Sequence, residues 1–197
     1  MDIAALRNVE WDEVPIQYEG KTVTVVYRRS PTTRWHPFLL VADSALLQSL
    51  GKAGNGLYAV RNFRAGDVLG RYDGRVVGVF DSRQDALESD TARRLVRKLH
   101  DKLITRSRRG GGVELVDGNT MGPPYLQMVN DPVGTRFKAN VYISPGGYMK
   151  CISSIPAFDF SKTLHENRRS ELRFDYGIDY WRAMSQIGKS IEDSIIV

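Results

Sequence analysis

Short apolar, β-branched runs alternate with polar or glycine-rich turns along most of the chain. Runs of this kind, bounded by turn residues, predict β-strands. Pro145-Gly146-Gly147 separates two of them and predicts a hairpin. Residues 1–20 are mixed in character, and residues 28–37, with two prolines, are predicted to be a loop. The predicted strands are residues 23–27, 38–42, 57–60, 68–72, 76–80, 113–116, 141–143, 149–155 and 172–174.

One stretch has a different period. Leu95, Leu99 and Leu103 recur at every fourth position, which predicts a single amphipathic helix over residues 85–106, ended by a run of three glycines. A second short helix is predicted from Trp181 onward. Many strands with one helical insertion predict an α+β domain that is mostly β. A neighbouring face of the first helix carries four basic residues at the same spacing: Arg94, Lys98, Lys102 and Arg106.

Composition narrows the class of protein. The chain has 197 residues, enough for one domain with a full core, and its 42% hydrophobic and 26% charged content is ordinary for a globular protein. The single cysteine, Cys151, excludes an internal disulfide and a Cys-rich zinc cluster, and we expect no metal. A membrane-spanning helix needs an apolar run of about 18 residues, and no run in this chain approaches that length. The first residues lack the basic and then apolar order of a signal peptide. We therefore expect an intracellular protein that is neither secreted nor bound to a membrane.

The charge balance favours an anionic partner. The formal net charge is +5 and the pI is about 9.4. Much of the excess lies between Arg93 and Arg109, where eight Lys or Arg residues accompany one acid, Asp101. Such a segment is typical either of a nucleic-acid-binding surface or of a solvated helix face.

Three sequence motifs carry the functional information. Residues 171–177, Glu-Leu-Arg-Phe-Asp-Tyr-Gly, resemble the closing motif of SET-domain protein lysine methyltransferases. Upstream, residues 54–59, Gly-Asn-Gly-Leu-Tyr-Ala, resemble the first motif of that family, and residues 72–77 follow in the family's order. Asn130 and the later Asn140 resemble a degraded form of its Asn-His-Ser…Pro-Asn stretch. Taken singly, each string is also typical of a turn or a strand end.

The resemblance covers residues 38–181 and implies a fold. A SET domain consists of short twisted sheets with a helical insert, here at about residues 81–110, and a C-terminal segment that passes under a preceding loop as a pseudoknot. Residues 1–37 would form an N-terminal extension packed on the domain. Residues 182–197 would form a C-terminal helix that serves as a lid.

The resemblance also implies a cofactor, S-adenosyl-L-methionine. The residues of the first motif would contact it mainly through their backbone, and Asn130 would hydrogen-bond its amino-acid end, although Asn140 is an alternative for that role. Aromatic residues after the closing motif would cover the adenine. The cofactor-binding residues that follow from the resemblance are Asn55, Gly56, Leu57, Asn130, Asp131, Tyr176 and Trp181.

The catalytic residues implied by the resemblance are Tyr176 and Tyr72. The Tyr176 hydroxyl would face the transferring methyl group, and a phenol with a pKa near 10 would act there as a dipole rather than as a bulk base. Phe174, Tyr72 and Asn140 would line a narrow channel for the substrate lysine, in which aromatic faces favour a cationic amine. Each aromatic residue, viewed singly, is also typical of core packing.

The chain departs from the family pattern at several positions. Asp131 and Pro132 replace the family's histidine and serine, and Arg75 stands where the second motif has glutamate. Asn140 follows Asn130 by ten residues, a longer spacing than in the family, which implies an insertion within residues 132–136. An acid at position 131 could pair with the positive charge of the cofactor.

The activity implied by the resemblance is S-adenosylmethionine-dependent protein lysine N-methylation. The substrate would be a histone or another basic nuclear protein, the location nuclear or chromatin-associated, and the basic helix face would contact nucleosomal DNA. Phe174 has no hydroxyl to oppose rotation of a methylated lysine, so a di- or trimethylated product is favoured. The alternatives are a catalytically weak or inactive SET-fold binding module and a basic nucleic-acid-binding domain.

Overall fold

The structure is a computed structural model that describes residues 10–29, 35–99, 103–108, 110–120 and 122–177. Within these ranges the chain forms ten strands, arranged in three antiparallel sheets, and three short helices. The prediction of an α+β domain that is mostly β is confirmed. In the described ranges, no helix has both the length and the apolar character needed to cross a membrane.

The first sheet has four strands in the order of the sequence: β1 (Trp11–Tyr18), β2 (Lys21–Arg29), β3 (Trp35–Asp43) and β4 (Asn55–Ala59). Both faces of its inner strands are covered, because side chains alternate across a strand. Leu39 and Leu57 pack in the larger core cluster, and Leu40 and Tyr58 pack in a second cluster on the other face. This explains why β3 and β4 appear in the sequence as unbroken apolar runs.

The strand β1 is absent from the sequence prediction. The strand has eight residues, and four consecutive ones near its middle are exposed. One of these four is Pro15. It pairs only with β2 and therefore lies at the edge of the sheet, where a proline is tolerated and polar side chains face solvent. The strand follows from pairing with β2 rather than from its own apolar pattern. The predicted loop at residues 28–37 is shorter than expected, since β2 runs to Arg29 and β3 begins at Trp35.

The other two sheets have three strands each. One has the order β5-β10-β9 and the other the order β6-β8-β7. The predicted hairpin around Pro145-Gly146-Gly147 is confirmed and joins β9 to β10. The strands are β5 (Val68–Arg71), β6 (Arg75–Phe80), β7 (Leu103–Ser107), β8 (Val113–Asp117), β9 (Val141–Ile143) and β10 (Tyr148–Cys151).

The single helix predicted over residues 85–106 is wrong. Besides α1 (Ala45–Ser49), the structure has α2 (Arg83–Glu88) and α3 (Asp90–Leu99), separated by Ser89 in an extended conformation with ψ 125°. The chain then forms β7, which pairs with β8. The three glycines at residues 110–112, all with positive φ, turn the chain between β7 and β8 instead of ending a helix.

The prediction of a basic helix face is therefore wrong for its last residue, Arg106. Arg106 belongs to β7 and is only 8% exposed. Its guanidinium bonds to Asp73 at 3.0 Å and to Glu114 at 2.8 Å. Arg94 is exposed on α3, whereas the Lys98 side chain and the whole of Lys102 lie outside the described residues. Arg106 is thus an internal ion-pair residue that ties β7 and β8 to the Tyr72–Asp73 bend.

The closing segment, residues 170–174, lies between two other parts of the chain. On one side Leu172 donates its N–H to the Leu57 carbonyl of β4, at 2.7 Å. On the other side Phe174 donates to the Asn130 carbonyl at 3.0 Å, and Val141 donates to the Arg173 carbonyl at 3.1 Å. The predicted strand at residues 172–174 is therefore a bridging segment with single antiparallel and parallel bridges. The predicted C-terminal helix lies outside the described residues.

Candidate functional site

The three motif segments meet around the closing segment. The Asn130 side-chain amide donates to the Asn55 carbonyl at 2.9 Å, across 75 positions of sequence. The Asn130 carbonyl in turn accepts from Phe174. Asn130 therefore links the start of β4 to the closing motif. These contacts are not local in sequence, so the turn chemistry of each motif alone does not explain them.

Tyr176 is held at both its backbone and its hydroxyl. Its N–H donates to Asp131 Oδ2 at 2.7 Å, and its hydroxyl donates to the Val129 carbonyl at 2.9 Å. The ring is half-buried and lies 5.7 Å from the Phe174 ring, centroid to centroid. A phenol has one proton to donate. With that proton directed at Val129, the hydroxyl oxygen acts as an acceptor toward any further group.

Asp131 joins the middle motif to the closing motif. The residue is 8% exposed. One carboxylate oxygen accepts the Val133 N–H at 2.7 Å and the other accepts the Tyr176 N–H at 2.7 Å. The bond to Val133 is the local turn that an Asn-Asp-Pro string predicts. The bond to Tyr176 spans 45 positions and has no local signal in the sequence.

The glycines of the first motif are required by internal packing. A Cβ at Gly56 would lie 2.5 Å from Glu171 Oε1, and a Cβ at Gly54 would lie 2.7 Å from a methyl of Leu47. Gly54 also has φ of +151°, which L-residues rarely adopt. The glycine pattern therefore has an explanation that involves no ligand. Contacts of Asn55, Gly56 and Leu57 with a cofactor stay a prediction.

Glu171 anchors the closing motif in the interior. It is 1% exposed, and its carboxylate accepts the Ser44 hydroxyl and, at 2.9 Å, the Leu46 N–H. Burial raises the pKa of Glu171, while these hydrogen bonds and the charge of Arg173 act in the opposite direction. Ser44 also caps α1 by accepting the Leu47 N–H at 3.0 Å. One carboxylate thus holds the first turn of α1 against the closing motif.

Asn140 has both ends of its amide engaged by that motif. Its nitrogen donates to the Glu171 carbonyl at 2.9 Å, and its oxygen accepts the Arg173 N–H at 2.7 Å. The residue is 4% exposed. These contacts position the closing motif. The predicted roles of Asn140 in the substrate channel or at the cofactor stay predictions.

Tyr72 and Phe174 share one core cluster. Tyr72 is a buried member of it, and Phe174 is half-buried against it. The Tyr72 N–H donates to the Gly147 carbonyl at 2.7 Å, and its hydroxyl lies so close to Gly118 that a Cβ there would collide with it. Their predicted channel and catalytic roles stay predictions. Trp181 lies outside the described residues.

No protein-family model matches the chain, and no curated protein matches it significantly. The resemblance therefore depends on the motifs themselves and on the contacts between them.

Proposed function

We propose that this protein is an S-adenosylmethionine-dependent protein lysine N-methyltransferase of the SET type. The observation that carries the proposal is the direct hydrogen bonding between the three motifs. Asn130 donates to Asn55 and accepts from Phe174, and Asp131 accepts from Tyr176. A chance resemblance of separate strings to family motifs does not require those strings to contact one another. The position of residues 170–174 also supports a SET fold with its C-terminal pseudoknot, because this segment lies between β4 and the Asn130–Val141 region.

The groups around Tyr176 suit a cationic cofactor. The Tyr176 hydroxyl lies against the Val129 carbonyl, and the Tyr176 backbone N–H lies against the Asp131 carboxylate. These oxygens are hydrogen-bond acceptors, and a carboxylate favours a positive charge nearby. When bound, S-adenosylmethionine supplies a methyl group that passes in line from its sulfonium sulfur to a neutral lysine nitrogen. Asn130, the first motif and Asp131 are the groups that would hold it.

The protein's contribution to such a reaction is positional. The Tyr176 hydroxyl, oriented by its bond to Val129, would accept the hydrogen of the lysine amine or weak C–H···O contacts from a polarised methyl. The aromatic rings of Phe174 and Tyr72 would exclude water and favour an alkylated ammonium by cation–π contact. No charged base is needed for this role.

Cofactor binding tests the proposal before any substrate is known. Calorimetry with the product S-adenosylhomocysteine should show one site, with adenosine as the control ligand. Absence of binding at about millimolar ligand, equivalent to less than about 4 kcal/mol of binding free energy, would remove the enzymatic interpretation.

We expect Asp131→Asn to lower kcat by about 10- to 100-fold, because small displacements of a reacting group have effects of that size. An amide has a single acceptor oxygen, so either Val133 or Tyr176 loses its acceptor. Asp175→Asn is the matched control, since Asp175 is exposed and accepts the Gly177 N–H at 2.8 Å, a bond that an asparagine oxygen can also accept. Steady-state kinetics on one peptide compares the two variants. Equal turnover in both would remove the positional role of Asp131.

The degree of methylation tests the role of Phe174. We expect wild-type protein to reach di- or trimethyl-lysine, and Phe174→Tyr to shift the product towards monomethyl-lysine, because the added hydroxyl can hold the amine or a water. Phe160→Tyr, at an exposed phenylalanine, is the control. Mass spectrometry of a methylated peptide measures the product. A wild-type reaction that stops at one methyl under excess cofactor would contradict this prediction.

The substrate that best fits the proposal is a histone or another basic nuclear protein, with a nuclear or chromatin-associated location. A chain with net charge +5 is repelled by a free basic peptide but attracted to one presented on nucleic acid. Arg106 no longer supports this idea, because it is buried and paired. A DNA contact through Arg94, Lys98 and Lys102 stays a prediction.

A further inference from the structure

Two arginines share one buried aromatic ring at the end of the first sheet. The guanidinium of Arg28, in β2, lies 5.5 Å from the centroid of the Phe38 ring. The guanidinium of Arg61, just after β4, lies 5.0 Å from the same centroid and 4.8 Å from that of Phe63. Phe38 is buried, Arg28 is half-buried and Arg61 is exposed. The ring thus brings two like charges together.

Neither arginine has an acidic partner among the residues that the structure describes. The carboxylate of Glu10 is occupied by Arg29, and that of Asp67 accepts a backbone N–H in its own turn at 2.9 Å. Burial and the nearby charge of Arg61 lower the pKa of Arg28. A guanidinium nevertheless stays charged at neutral pH. Two charged groups held together without a counterion favour the binding of an anion.

His36 completes the patch. It is exposed and pairs with Arg28 across β2 and β3, so the two side chains leave the same face of the sheet. Phe38 lies at a shift in the register of β2 and β3, and its contact with the Arg28 guanidinium places it beside Arg28. We define the Arg28–Arg61 patch as Arg28, His36 and Arg61 around Phe38. Planar guanidinium groups bind phosphate oxygens through paired N–H donors.

We propose that the Arg28–Arg61 patch binds the phosphate backbone of duplex DNA. The stacking on Phe38 holds the guanidinium groups in place before binding, which lowers the entropic cost of ordering them. The choice of DNA as the source of phosphate rests on the proposed function, whereas the anion site itself does not. The positive net charge of the chain favours a polyanion over a single acidic side chain.

Fluorescence anisotropy with a labelled duplex of about 20 base pairs, at KCl concentrations from about 50 to 200 mM, tests the proposal. The double variant Arg28→Gln/Arg61→Gln should bind about tenfold more weakly. The slope of log K against log salt should become shallower by about 2, since each phosphate contact contributes about 0.9. Arg28→Lys/Arg61→Lys, which keeps both charges, should retain the slope. Arg61→Gln alone, at an exposed position, should remove about half of the effect without risk to the fold.

The double variant Lys52→Gln/Lys138→Gln removes the same charge from two exposed positions elsewhere. If this control loses as much affinity and slope as the arginine variant, or if wild-type protein does not bind the duplex, the proposal is overturned. DNA binding is measured without cofactor, so its outcome is independent of methyl transfer. Conversely, the arginine variant should methylate a free peptide at the wild-type rate.

Discussion

Replacing Tyr176 with phenylalanine is expected to lower kcat for lysine methylation by about 100-fold or more, the usual effect of removing one oriented polar group at a reacting centre. The hydroxyl is held by the Val129 carbonyl at 2.9 Å, and it would act on the methyl and amine groups as they react. Since it contributes little to ground-state binding, the dissociation constant of S-adenosylhomocysteine should change by less than about twofold.

Tyr142→Phe is the matched control for this variant. Tyr142 lies in β9 and is 42% exposed, so loss of its hydroxyl should leave both kcat and cofactor affinity unchanged. Turnover that persists in Tyr176→Phe would mean that the closing motif has been misassigned. A loss of cofactor affinity as large as the loss in kcat would place the hydroxyl in cofactor binding instead.

Replacing Glu171 with alanine is expected to lower the free energy of unfolding by about 3 kcal/mol. The change leaves the Ser44 hydroxyl and the Leu46 N–H without their buried acceptor and opens a cavity beside Gly56. For a chain of this length the melting temperature should fall by about 10 °C. Urea unfolding followed by circular dichroism measures the loss.

The variant Glu171→Gln keeps the size and shape of the side chain but removes its ability to ionise, so it separates the effect of packing on stability from the effect of charge. Burial raises the pKa of Glu171 above its ordinary value of 4.5. When folding raises the pKa of an acid, the contribution of that acid to stability is complete at pH values below its unfolded-state pKa. The contribution is lost as the pH rises through its folded-state pKa. Relative to wild type, the glutamine variant should therefore become more stable as the pH rises above about 4.5. A difference that does not vary with pH, or an alanine variant as stable as the glutamine variant, would contradict this account.

Strands such as β3 and β4 could be predicted from sequence, because each contains a short apolar run that packs on both faces. The strand β1 could not, since its exposed residues at a sheet edge carry no apolar pattern. The spacing of Leu95, Leu99 and Leu103 predicts a longer helix than the structure has. In the structure Leu103 begins β7, whose position is decided by pairing with β8.

The sequence motifs name the residues of the candidate site, whose roles stay predictions, but the contacts between those residues could not be predicted. The bond from Tyr176 to Asp131 and the approach of Glu171 to Gly56 join positions far apart in the chain. No periodicity or spacing rule encodes such pairs. The burial of Arg106 is a similar case, because both of its acidic partners come from other strands or bends. Tertiary pairing decided each of these features.

Transfer of a labelled methyl group from S-adenosylmethionine to protein is the direct test of whether this protein is a lysine methyltransferase. Wild-type protein would be incubated with core histones and with nucleosomes, the products analysed by mass spectrometry, and Tyr176→Phe run in parallel. We expect methyl groups on lysine nitrogen in the wild-type reaction and their near-complete loss in the variant. Cofactor binding without transfer to any lysine would contradict this expectation and would favour a SET-fold binding module without turnover.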